Sequence, residues 1–582
     1  MNTSIRISSS WKKDRHHYFN NLTLLIIMAS SCSASATPSF TISMGNYVSH
    51  QININALGQN IIGDKGNEPT IAVNPLNPDN IVVGWRMFDS PPTAIKHGGF
   101  AYSFDGGDSW INNQLAALPG QSRTDPALDT DSQGNFFYQS LGLGVEDRTS
   151  VFKSTDGGVT WSDPVYQFNG DKNWLLIDKT GSTYDGTIYS TWRRTSFPNP
   201  DPNYVPKYFI RSTNAGLSYQ EPTAALPIAN FGFGRIAIGP NSDVYLSGID
   251  ESILTTNALG VIRRGHYFLK SVDAKNPAIS PSFTAKKVDM GGHPLMFLSV
   301  TSELPNPLGG DGDIQIAADH STGSMRGNIY MMAHVSSYNW QPGDDPQNVY
   351  FVRSSDGGES WSAPVRLNDD IPSPSSFQYF PMLSVAPNSR IDAVWYDTRN
   401  GTGTAPYRYS QLYYAYSWDG GVSWSPNKAV TPLFNTHIPY NTTNGNELPA
   451  DKLGDYTHML SDANGAHIAY TGTFNGEQDV YYLKVFPDCN NNAVSDVLDI
   501  QNRRSGDINN NHLPDSCENF SVPGDIDGDR DVDLLDINLV TAAKNKAASG
   551  LNDPRDLDKN GIINLMDVRK QIQLCTRLRC AN

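Results

Sequence analysis

Short apolar runs, separated by turn-forming residues, recur along the middle of the chain. The first repeat unit contains three such runs, Glu68–Val73, Asn80–Trp85 and Phe100–Tyr102. Comparable units begin at six later runs: Asp125–Leu128, Asn173–Ile177, Arg235–Ile238, Ile314–Ile316, Pro381–Val385 and Leu453–Tyr456. Runs of this kind between turn signals are typical of strands. The pattern predicts a mainly β protein built from repeated small antiparallel sheets.

A turn motif recurs within these units. Its form is Ser-X-Asp/Asn-X-Gly-X-Ser/Thr-aromatic, and the five copies are Ser103–Trp110, Ser154–Trp161, Ser212–Tyr219, Ser354–Trp361 and Ser417–Trp424. The Asp or Asn side chain can bond the backbone of its own turn, and Gly supplies positive φ. The repeat resembles the Asp-box of sialidases and related β-propellers. The resemblance implies a turn between two strands, with its aromatic side chain packed between neighbouring blades.

The resemblance covers residues 45–486 and implies a β-propeller, and the count of repeat units predicts seven blades. Six blades are the alternative if the unit with the degenerate box Ser271–Pro277 is an elaborated loop. The seventh unit ends without a box, so we expect the N-terminal segment Tyr47–Asn55 to supply its missing strand. That closure leaves no open sheet edge.

The N-terminus has the pattern of a secretory signal, predicted over residues 1–36. Basic residues precede the apolar run Leu22–Met28, and Ala34-Ser-Ala36 resembles a cleavage site. A lipid anchor through Cys32 is the alternative. We therefore expect a secreted or cell-surface protein, with no membrane span. The net charge of −16 argues against a nucleic-acid partner, which would need a basic face.

The other four cysteines lie beyond residue 488, and in an exported protein they favour disulfides between Cys489 and Cys517 and between Cys575 and Cys580. Around them, residues 487–519 resemble the calcium loops of thrombospondin type 3 repeats. Oxygen-bearing side chains occupy loop positions 1, 3, 5, 9 and 12 twice, at Asp488, Asn490, Asn492, Asp496 and Asp499, then at Asp507, Asn509, Asn511, Asp515 and Glu518. Calcium prefers oxygen ligands, so both loops are predicted calcium sites.

Residues 521–576 resemble a type I dockerin, a pair of EF-hand-like calcium loops that each precede a helix. The ligands that this resemblance implies are Asp525, Asp527, Asp529, Asp531, Asp533 and Asp536, then Asp556, Asp558, Asn560, Ile562 (through its carbonyl), Asn564 and Asp567. Helices are expected over residues 537–546 and 568–574. Two features depart from the family: Arg530 stands where Gly is usual, and Leu534-Leu535 and Leu565-Met566 replace small hydroxyl residues. A cohesin-like or surface partner is the expectation for this tail.

Strand order in a propeller predicts where function lies. Successive strands of a blade alternate in direction, so the box turns all fall on one face, here the lower face. Loops before the first strand and after the second fall on the upper face around the axis, where we expect the site. Polar residues predicted there are Glu68, Arg86, Asp89, Asp125, Lys172, Arg193, Arg194, Arg235, Asp313, His334, Tyr396, Asp397, Arg399, Asp455 and Tyr456.

The sialidase resemblance implies roles for some of them. Sialidases hold the substrate carboxylate with three arginines and use a tyrosine nucleophile with a glutamate partner, plus an aspartate acid/base. The carried-over candidates are the clamp Arg86, Arg194 and Arg399, the nucleophile Tyr396 or Tyr456, the partner Glu68 and the acid/base Asp125. The family's Arg-Ile-Pro motif is absent, and Trp85-Arg86-Met87 stands nearest to it.

The leading hypothesis is an exported sialidase-like glycoside hydrolase that cleaves O-glycosyl bonds of a glycan or polysaccharide and carries a calcium-binding tail. The missing Arg-Ile-Pro motif favours a second hypothesis, a glycan- or protein-binding propeller without catalysis. A polysaccharide lyase on the same scaffold is the third.

Overall fold

The protein is a seven-bladed β-propeller followed by a small helical segment. Our computed structural model describes residues 37–38, 40–89, 95–145, 148–168, 170–193, 207–222, 225–251, 255–256, 262–263, 265–294, 304–307, 309, 313–339, 341, 343–438, 452–507, 509, 511–517, 523–528, 531–550, 553–576 and 578–580. The predicted signal segment, residues 1–36, lies outside them. Within the described ranges, no helix has both the length and the apolar character that crossing a membrane would require.

Blades 1 to 3 follow one another along the chain as antiparallel sheets. From the inner strand outwards, blade 1 is Lys65–Val73, Ile81–Phe88, Lys96–Ser103 and Ser109–Gln114, with Thr37–Pro38 beyond; blade 2 is Ser122–Thr130, Phe136–Leu143, Thr149–Ser154 and Val165–Tyr166; blade 3 is Asp171–Ile177, Ile188–Arg193 and Phe209–Ser212.

Blades 4 to 6 continue this order. Blade 4 is Phe231–Ile238, Val244–Asp250, His266–Ser271 and Thr284–Val288; blade 5 is Ile314–Ala318, Ile329–Ser336, Asn348–Ser354 and Val365–Arg366, with His293–Pro294 on its second strand; blade 6 is Gln378–Val385, Ile391–Asp397, Tyr409–Ser417 and Lys428–Ala429, with Phe434–Asn435 on its third. A separate hairpin pairs Thr255–Thr256 with Ile262–Arg263.

Blade 7 combines both ends of the propeller sequence. Its strands His458–Ser461, Ala466–Gly472 and Asp479–Val485 are followed by Tyr47–Gln51, which pairs with Asp479–Val485. The prediction that an N-terminal segment closes the ring is confirmed, as is the count of seven blades. The sequence did not reveal that Thr41–Met44 adds a fifth strand outside Tyr47–Gln51.

The box turns share one hydrogen-bond pattern. In the blade 2 copy, the Ser154 hydroxyl donates to Asp156 at 2.8 Å, and Asp156 accepts the backbone N–H of Thr160 at 2.9 Å. The degenerate copy in blade 4 keeps this pattern, because Asp273 accepts from Ser271 and from the more distant Ser282. The unit that contains Ser271 is therefore a blade, and not the elaborated loop of the six-blade alternative.

The aromatic side chains of the boxes pack across blade boundaries, as predicted. Trp161 of blade 2 lies 5.6 Å from Phe100 of blade 1, and Trp424 of blade 6 lies 5.0 Å from Phe351 of blade 5. Glycine is needed beside them: a Cβ on Gly421, at φ +80°, would lie 2.2 Å from the Phe351 ring. These contacts join each blade to the preceding one.

The C-terminal segment contains the helices Asp496–Gln501, Leu534–Ala542 and Leu565–Gln573 and a short pairing of Lys546–Ala547 with Ile562–Ile563. The predicted starts of the last two helices, 537 and 568, are three residues too late. Asp533 and Asn564 cap these helices in capping boxes, which extend each helix back to the calcium-loop sequence. The predicted disulfides Cys489–Cys517 and Cys575–Cys580 are both formed.

Candidate functional site

The inner strands of five blades contain a bulge in which one non-glycine residue has positive φ. These residues are Glu68 (φ 56°), Asp125 (φ 50°), Lys172 (φ 52°), Phe233 (φ 52°) and Phe380 (φ 49°). The register of the ladder to the second strand shifts at each of them. This conformation is strained, and such residues cluster at functional sites. All five lie where the inner strand begins, on the upper face.

Lys172 is the centre of a buried ionic network on this face. Its ammonium pairs with the carboxylate of Asp455, which is 283 residues away in the sequence, and lies 3.8 Å from Asp171 Oδ1. Lys452 Nζ lies 2.6 Å from the second oxygen of Asp455. Burial acts to lower the pKa of Lys172, but the carboxylates, Asp455 foremost, raise it well above its ordinary value. The network therefore places two lysine ammonium groups and two aspartate carboxylates next to one another on the upper face.

Glu68 is an acidic side chain sealed behind this network. It is 0% exposed, and Arg86 Nη2 lies 3.3 Å from Glu68 Oε1. A Cβ on Gly454 would lie 2.6 Å from Glu68 Cγ, so the segment that carries Asp455 covers it. Burial raises the pKa of Glu68 to about 7, against the opposing charges of Arg86 and Lys172. The pKa of Glu68 is therefore close to neutral pH, where both its protonated and its ionised form are accessible.

Asp125 occupies the equivalent position on the next blade but has the opposite electrostatics. Its Oδ2 accepts the backbone N–H of Lys172 at 3.0 Å, and its Oδ1 accepts the Thr124 hydroxyl at 2.9 Å. Burial acts to raise the pKa of Asp125, but the Lys172 charge, the hydrogen bond from the Lys172 backbone and the Arg86 charge together outweigh burial, and the pKa is lowered. The pKa values of two carboxyl groups of one network are thus moved in opposite directions.

A cleft opens beside the network. It is partly open to solvent, has room for about one water molecule as it stands, and is lined by Lys172, Asn173, Phe233, Gly234, Arg235, Asp313, Asp455 and Tyr456. The Arg235 guanidinium lies 3.0 Å from Asp313 Oδ1 and 3.6 Å from the centre of the Trp174 ring. No box residue lines the cleft. In blade 1, Ser103 at the start of the box pairs with Ile81, and Ile81 pairs with Val73 at the end of the inner strand Lys65–Val73. Glu68 lies near the opposite end of that strand, so the box and Glu68 are on opposite faces.

Tyr456 lies at this cleft, next to both predicted acids. Its hydroxyl donates to the carbonyl of Pro126 at 3.1 Å, not to Glu68. Burial, reinforced by the charges of Asp125 and Glu68, raises the pKa of Tyr456 well above its ordinary value. The structure therefore brings Glu68, Arg86, Asp125 and Tyr456 together, but without a hydrogen bond between the tyrosine and the glutamate.

Two other predicted catalytic residues, Tyr396 and Arg399, do not line this cleft. Tyr396 is 0% exposed between blades 6 and 7, and its hydroxyl donates to the Thr471 carbonyl at 2.8 Å. Arg399 belongs to a separate cluster with Asp397 and Asp369 and lies 4.1 Å from the Tyr413 ring centre. Arg194 lies outside the described residues. The carboxylate clamp and the Tyr396 nucleophile stay predictions, and the structure does not bring Arg86, Arg399 and Tyr396 into one pocket.

Several central residues of the network were predicted on the upper face without a role, and Asp171 and Lys452 were not noticed at all. A signal was present in the sequence. Glu68-Pro69, Asp125-Pro126 and Phe380-Pro381 all begin inner strands, and all carry the positive-φ bulge. The partnership of Lys172 with Asp455 has no local signal, because it depends on the ring closing.

The first thrombospondin-like loop folds around its oxygen-bearing residues. Asp488 accepts the backbone N–H groups of Asn492 and Ala493, at 3.0 and 3.1 Å, and Asn490 and Asn492 both donate to Asp499. Asp496 is 0% exposed. The second loop repeats the pattern, since Asp507 accepts from Asn511 and His512. Asn509, Asn511 and Asp515 lie in this loop, whereas Glu518 is outside the described residues.

The dockerin-like loops bring their carboxylates close enough to share a metal ion. One oxygen from each residue lies within 4.8 Å of the others in three sets: Asp525, Asp527 and Asp536; Asp531, Asp533 and Asp536; and Asp556, Asp558 and Asp567. Asn560 and Asn564 lie in the second loop and accept the backbone N–H groups of Ile562 and Met566. Asp529 and Arg530 are outside the described residues. An all-oxygen donor set of this kind suits Ca²⁺.

Comparisons with known proteins find similar solved structures but no family. No protein-family model and no curated protein matches the chain. Among solved structures, a protein of unknown function from Dyadobacter fermentans aligns over 75% of this chain and 98% of its own, at 13% identity and a TM-score of 0.36. The phage phi92 endosialidase aligns over 76% and 69%, at 9% identity and a TM-score of 0.40.

The xyloglucanase from Xanthomonas campestris aligns over 75% of this chain at 13% identity and a TM-score of 0.37, and the chain spans 58% of that enzyme's length. Similarities at this level identify neither an activity nor a substrate. The structural neighbours of this seven-bladed propeller thus include a sialidase and a related glycan-active enzyme, at low identity.

Proposed function

We propose that the propeller is the glycoside hydrolase domain of an exported protein and that its active centre is the upper cleft with the adjoining ionic network. The observation that carries the proposal is the pair Glu68 and Asp125. These carboxyl groups occupy equivalent positions on adjacent blades, and their pKa values are moved in opposite directions. Such separated pairs supply the acid and the ionised carboxylate of glycoside hydrolysis.

In this proposal Glu68 donates a proton to the oxygen of the leaving sugar, and Asp125 acts as the ionised carboxylate. Lys172 holds Asp125 ionised. Arg86, Lys172 and Arg235 supply positive charge for an acidic sugar, because forked and ammonium donors match a carboxylate. Glu68 is 0% exposed and Asp125 3%, so the Lys172–Asp455 pair has to open when substrate binds.

The same burial favours a second candidate, a propeller that binds glycans without cleaving them. In that case the ionic network is scaffold, and only Arg235, Asp313 and Tyr456 at the cleft contact the sugar. A lyase is the third candidate, with a basic group that removes a proton and no water in the reaction.

One assay separates the three. The full-length protein is incubated with a panel of fluorogenic glycosides, including a sialoside, and with acidic polysaccharides. Release of the fluorophore that is lost in Glu68→Gln and retained in the lower-face control Asp79→Asn supports hydrolysis. Binding without turnover supports the second candidate, and a product that absorbs in the ultraviolet supports the lyase. Arg399→Ala and Tyr396→Phe test the predicted clamp and nucleophile in the same assay.

We further propose that the segment beyond Asp488 is a set of calcium modules that attach the propeller to a surface or to a cohesin-like partner. The two thrombospondin-like loops share one hydrogen-bond pattern, and the dockerin-like loop that begins at Asp556 repeats it, since Asp556 accepts from Asn560 and Gly561. Leu534, Leu535, Leu565 and Met566 are 44 to 52% exposed, which supports a partner with an apolar surface in place of the small-residue contact typical of cellulosomal dockerins.

Chelation tests the calcium proposal. Calorimetry of the full-length protein with and without EDTA is expected to show two transitions, of which EDTA abolishes the one that belongs to the C-terminal modules, because their folding depends on the ion. The propeller transition persists. A single transition that EDTA does not move contradicts the proposal.

A further inference from the structure

A second group of carboxylates lies where the chain passes from blade 7 to blade 1. Residues 52–64 connect Tyr47–Gln51 to Lys65–Val73, and Asp64 ends this connection. Glu477 and Asp479 lie at the turn between the second and third strands of blade 7. One oxygen from each of the three carboxylates lies within 4.8 Å of the others. None of them belongs to the cleft or to the predicted calcium loops.

This cluster is buried, and the positive charge of Lys65, which acts to lower the pKa of Asp64 and of Asp479, is outweighed by burial. Asp64 is 3% exposed and Asp479 is 0% exposed. The Oδ1 atom of Asp64 is buried and has no hydrogen-bond partner in the described part of the chain. Within the same ranges, no ion pair joins Asp64, Glu477 or Asp479 to a cationic side chain. An unpaired buried carboxylate is costly, so the site requires a positively charged occupant or a proton.

The remaining hydrogen bonds come from neutral groups. Asn53 Nδ2 donates to both aspartates, at 3.4 Å to Asp64 and 2.5 Å to Asp479. Asn475 Nδ2 donates to Asp479 at 2.6 Å, and the Gly63 N–H donates to Glu477 at 2.9 Å. These donors hold the three carboxylates in place but leave their net charge unchanged. Carboxylates fixed in this way form a preorganised oxygen site for a hard divalent cation.

We propose that Asp64, Glu477 and Asp479 bind a calcium ion that fastens the closure of the propeller ring. The ion would link the connection 52–64 to the turn of blade 7. Among the described blades, blade 7 is the one that combines strands from the N-terminal and C-terminal ends of the propeller sequence. The site does not depend on the proposed enzymatic activity. A proton is the competing occupant, because burial, followed by the charge of Asp479, raises the pKa of Asp64 to about 8.

Calcium stoichiometry gives the first test. Full-length wild type, Asp64→Asn and the exposed-carboxylate control Asp79→Asn are each dialysed against radioactive calcium at pH 8.5, where a proton competes least. We expect Asp64→Asn to bind one equivalent fewer than the other two. Equal stoichiometry in all three proteins overturns the proposal. If Asp64→Asn does not fold, Glu477→Gln at the same site gives the same comparison.

Thermal unfolding gives the second test. At 100-fold excess over its dissociation constant, calcium should raise the midpoint temperature of the propeller transition in the wild type by about 3 °C relative to EDTA. The midpoint temperature of the propeller transition in Asp64→Asn should not change. The C-terminal modules are identical in both proteins, so they cancel in the difference. The same calcium shift in wild type and Asp64→Asn contradicts the proposal. A transition that responds to pH but not to calcium assigns the site to a proton.

Discussion

The two faces of the propeller use acidic residues in opposite ways. On the lower face, Asp156 is held by its own turn, with partners two and four residues away. Its pKa is lowered because the hydrogen bonds from Thr160 outweigh burial, and the box residues Asp105, Asp273 and Asp419 behave alike. On the upper face, Asp125 accepts from the backbone of Lys172 in the next blade, and the Lys172 ammonium pairs with Asp455, whereas Glu68 pairs with Arg86 of its own blade. The same residue type is therefore scaffold on one face and part of a non-local charge network on the other.

The difference teaches where variation is tolerated. The box is repeated because each copy solves the same local problem, so blade 3 can replace Asp with Asn214 and keep the bonds to Ser212 and Ser218. The equivalent positions at the bulges hold Glu68, Asp125 and Lys172 in three successive blades. The bulge position keeps its strained backbone but changes its charge from blade to blade. We interpret such a position as part of a functional site rather than of the structural scaffold.

The largest effect is expected at Glu68. In the hydrolase hypothesis, Glu68→Gln lowers turnover by roughly 10²–10⁴-fold, because a positioned general acid contributes that much. Glu68 must be protonated to act, so wild-type activity should fall as the pH rises through about 7. The pH–rate profile of wild type and the residual rate of Glu68→Gln check this. A variant that keeps both the rate and its alkaline fall shows that another group is the acid.

The next largest effect is expected on stability, at Lys172. Lys172→Met leaves the buried carboxylate of Asp455 with Lys452 as its remaining cation and removes a cation from the half-buried Asp171, which we expect to cost about 3 kcal/mol. Lys153→Met on the lower face removes a peripheral ion pair to Asp131, 3.9 Å long, and a contact with the Phe137 ring, and should cost about 1 kcal/mol or less. Urea unfolding of both variants measures the contrast. Equal losses at the two lysines would remove the distinction between the faces.

The smallest effect is expected within a box. Asp156→Ala removes the turn's acceptor and should cost about 1 kcal/mol, whereas Asp156→Asn should be nearly neutral, as Asn214 suggests. The lowered pKa of Asp156 means that its contribution is present above the unfolded-state value and is lost as the pH falls through the folded-state value. The Asp156→Ala difference measured by urea unfolding should therefore shrink in acid. A difference independent of pH would place the effect elsewhere in the turn.

Most parts of the molecule that the sequence predicted have local causes. The box turns and the seven units follow from short-range spacing, and the two disulfides follow from the confinement of four cysteines to the C-terminal segment. The closing strand is long-range and was predicted because the seventh unit lacks a strand. The helix starts were missed by one turn because Asp533 and Asn564 serve as caps as well as predicted ligands. The charge network was predicted only as a set of polar residues on one face. Lys172 and Asp455 meet because the ring closes, and no spacing in the sequence encodes that meeting.

The central claim is that function lies on the face opposite the boxes. Hydrogen exchange of the full-length protein with and without a bound oligosaccharide from the assay panel tests it directly. We expect protection of the segments around Lys172, Arg235 and Asp455, and unchanged exchange at the box turns around Asp156 and Asp356. Protection confined to the box turns, with the cleft segments unaffected, would contradict the claim.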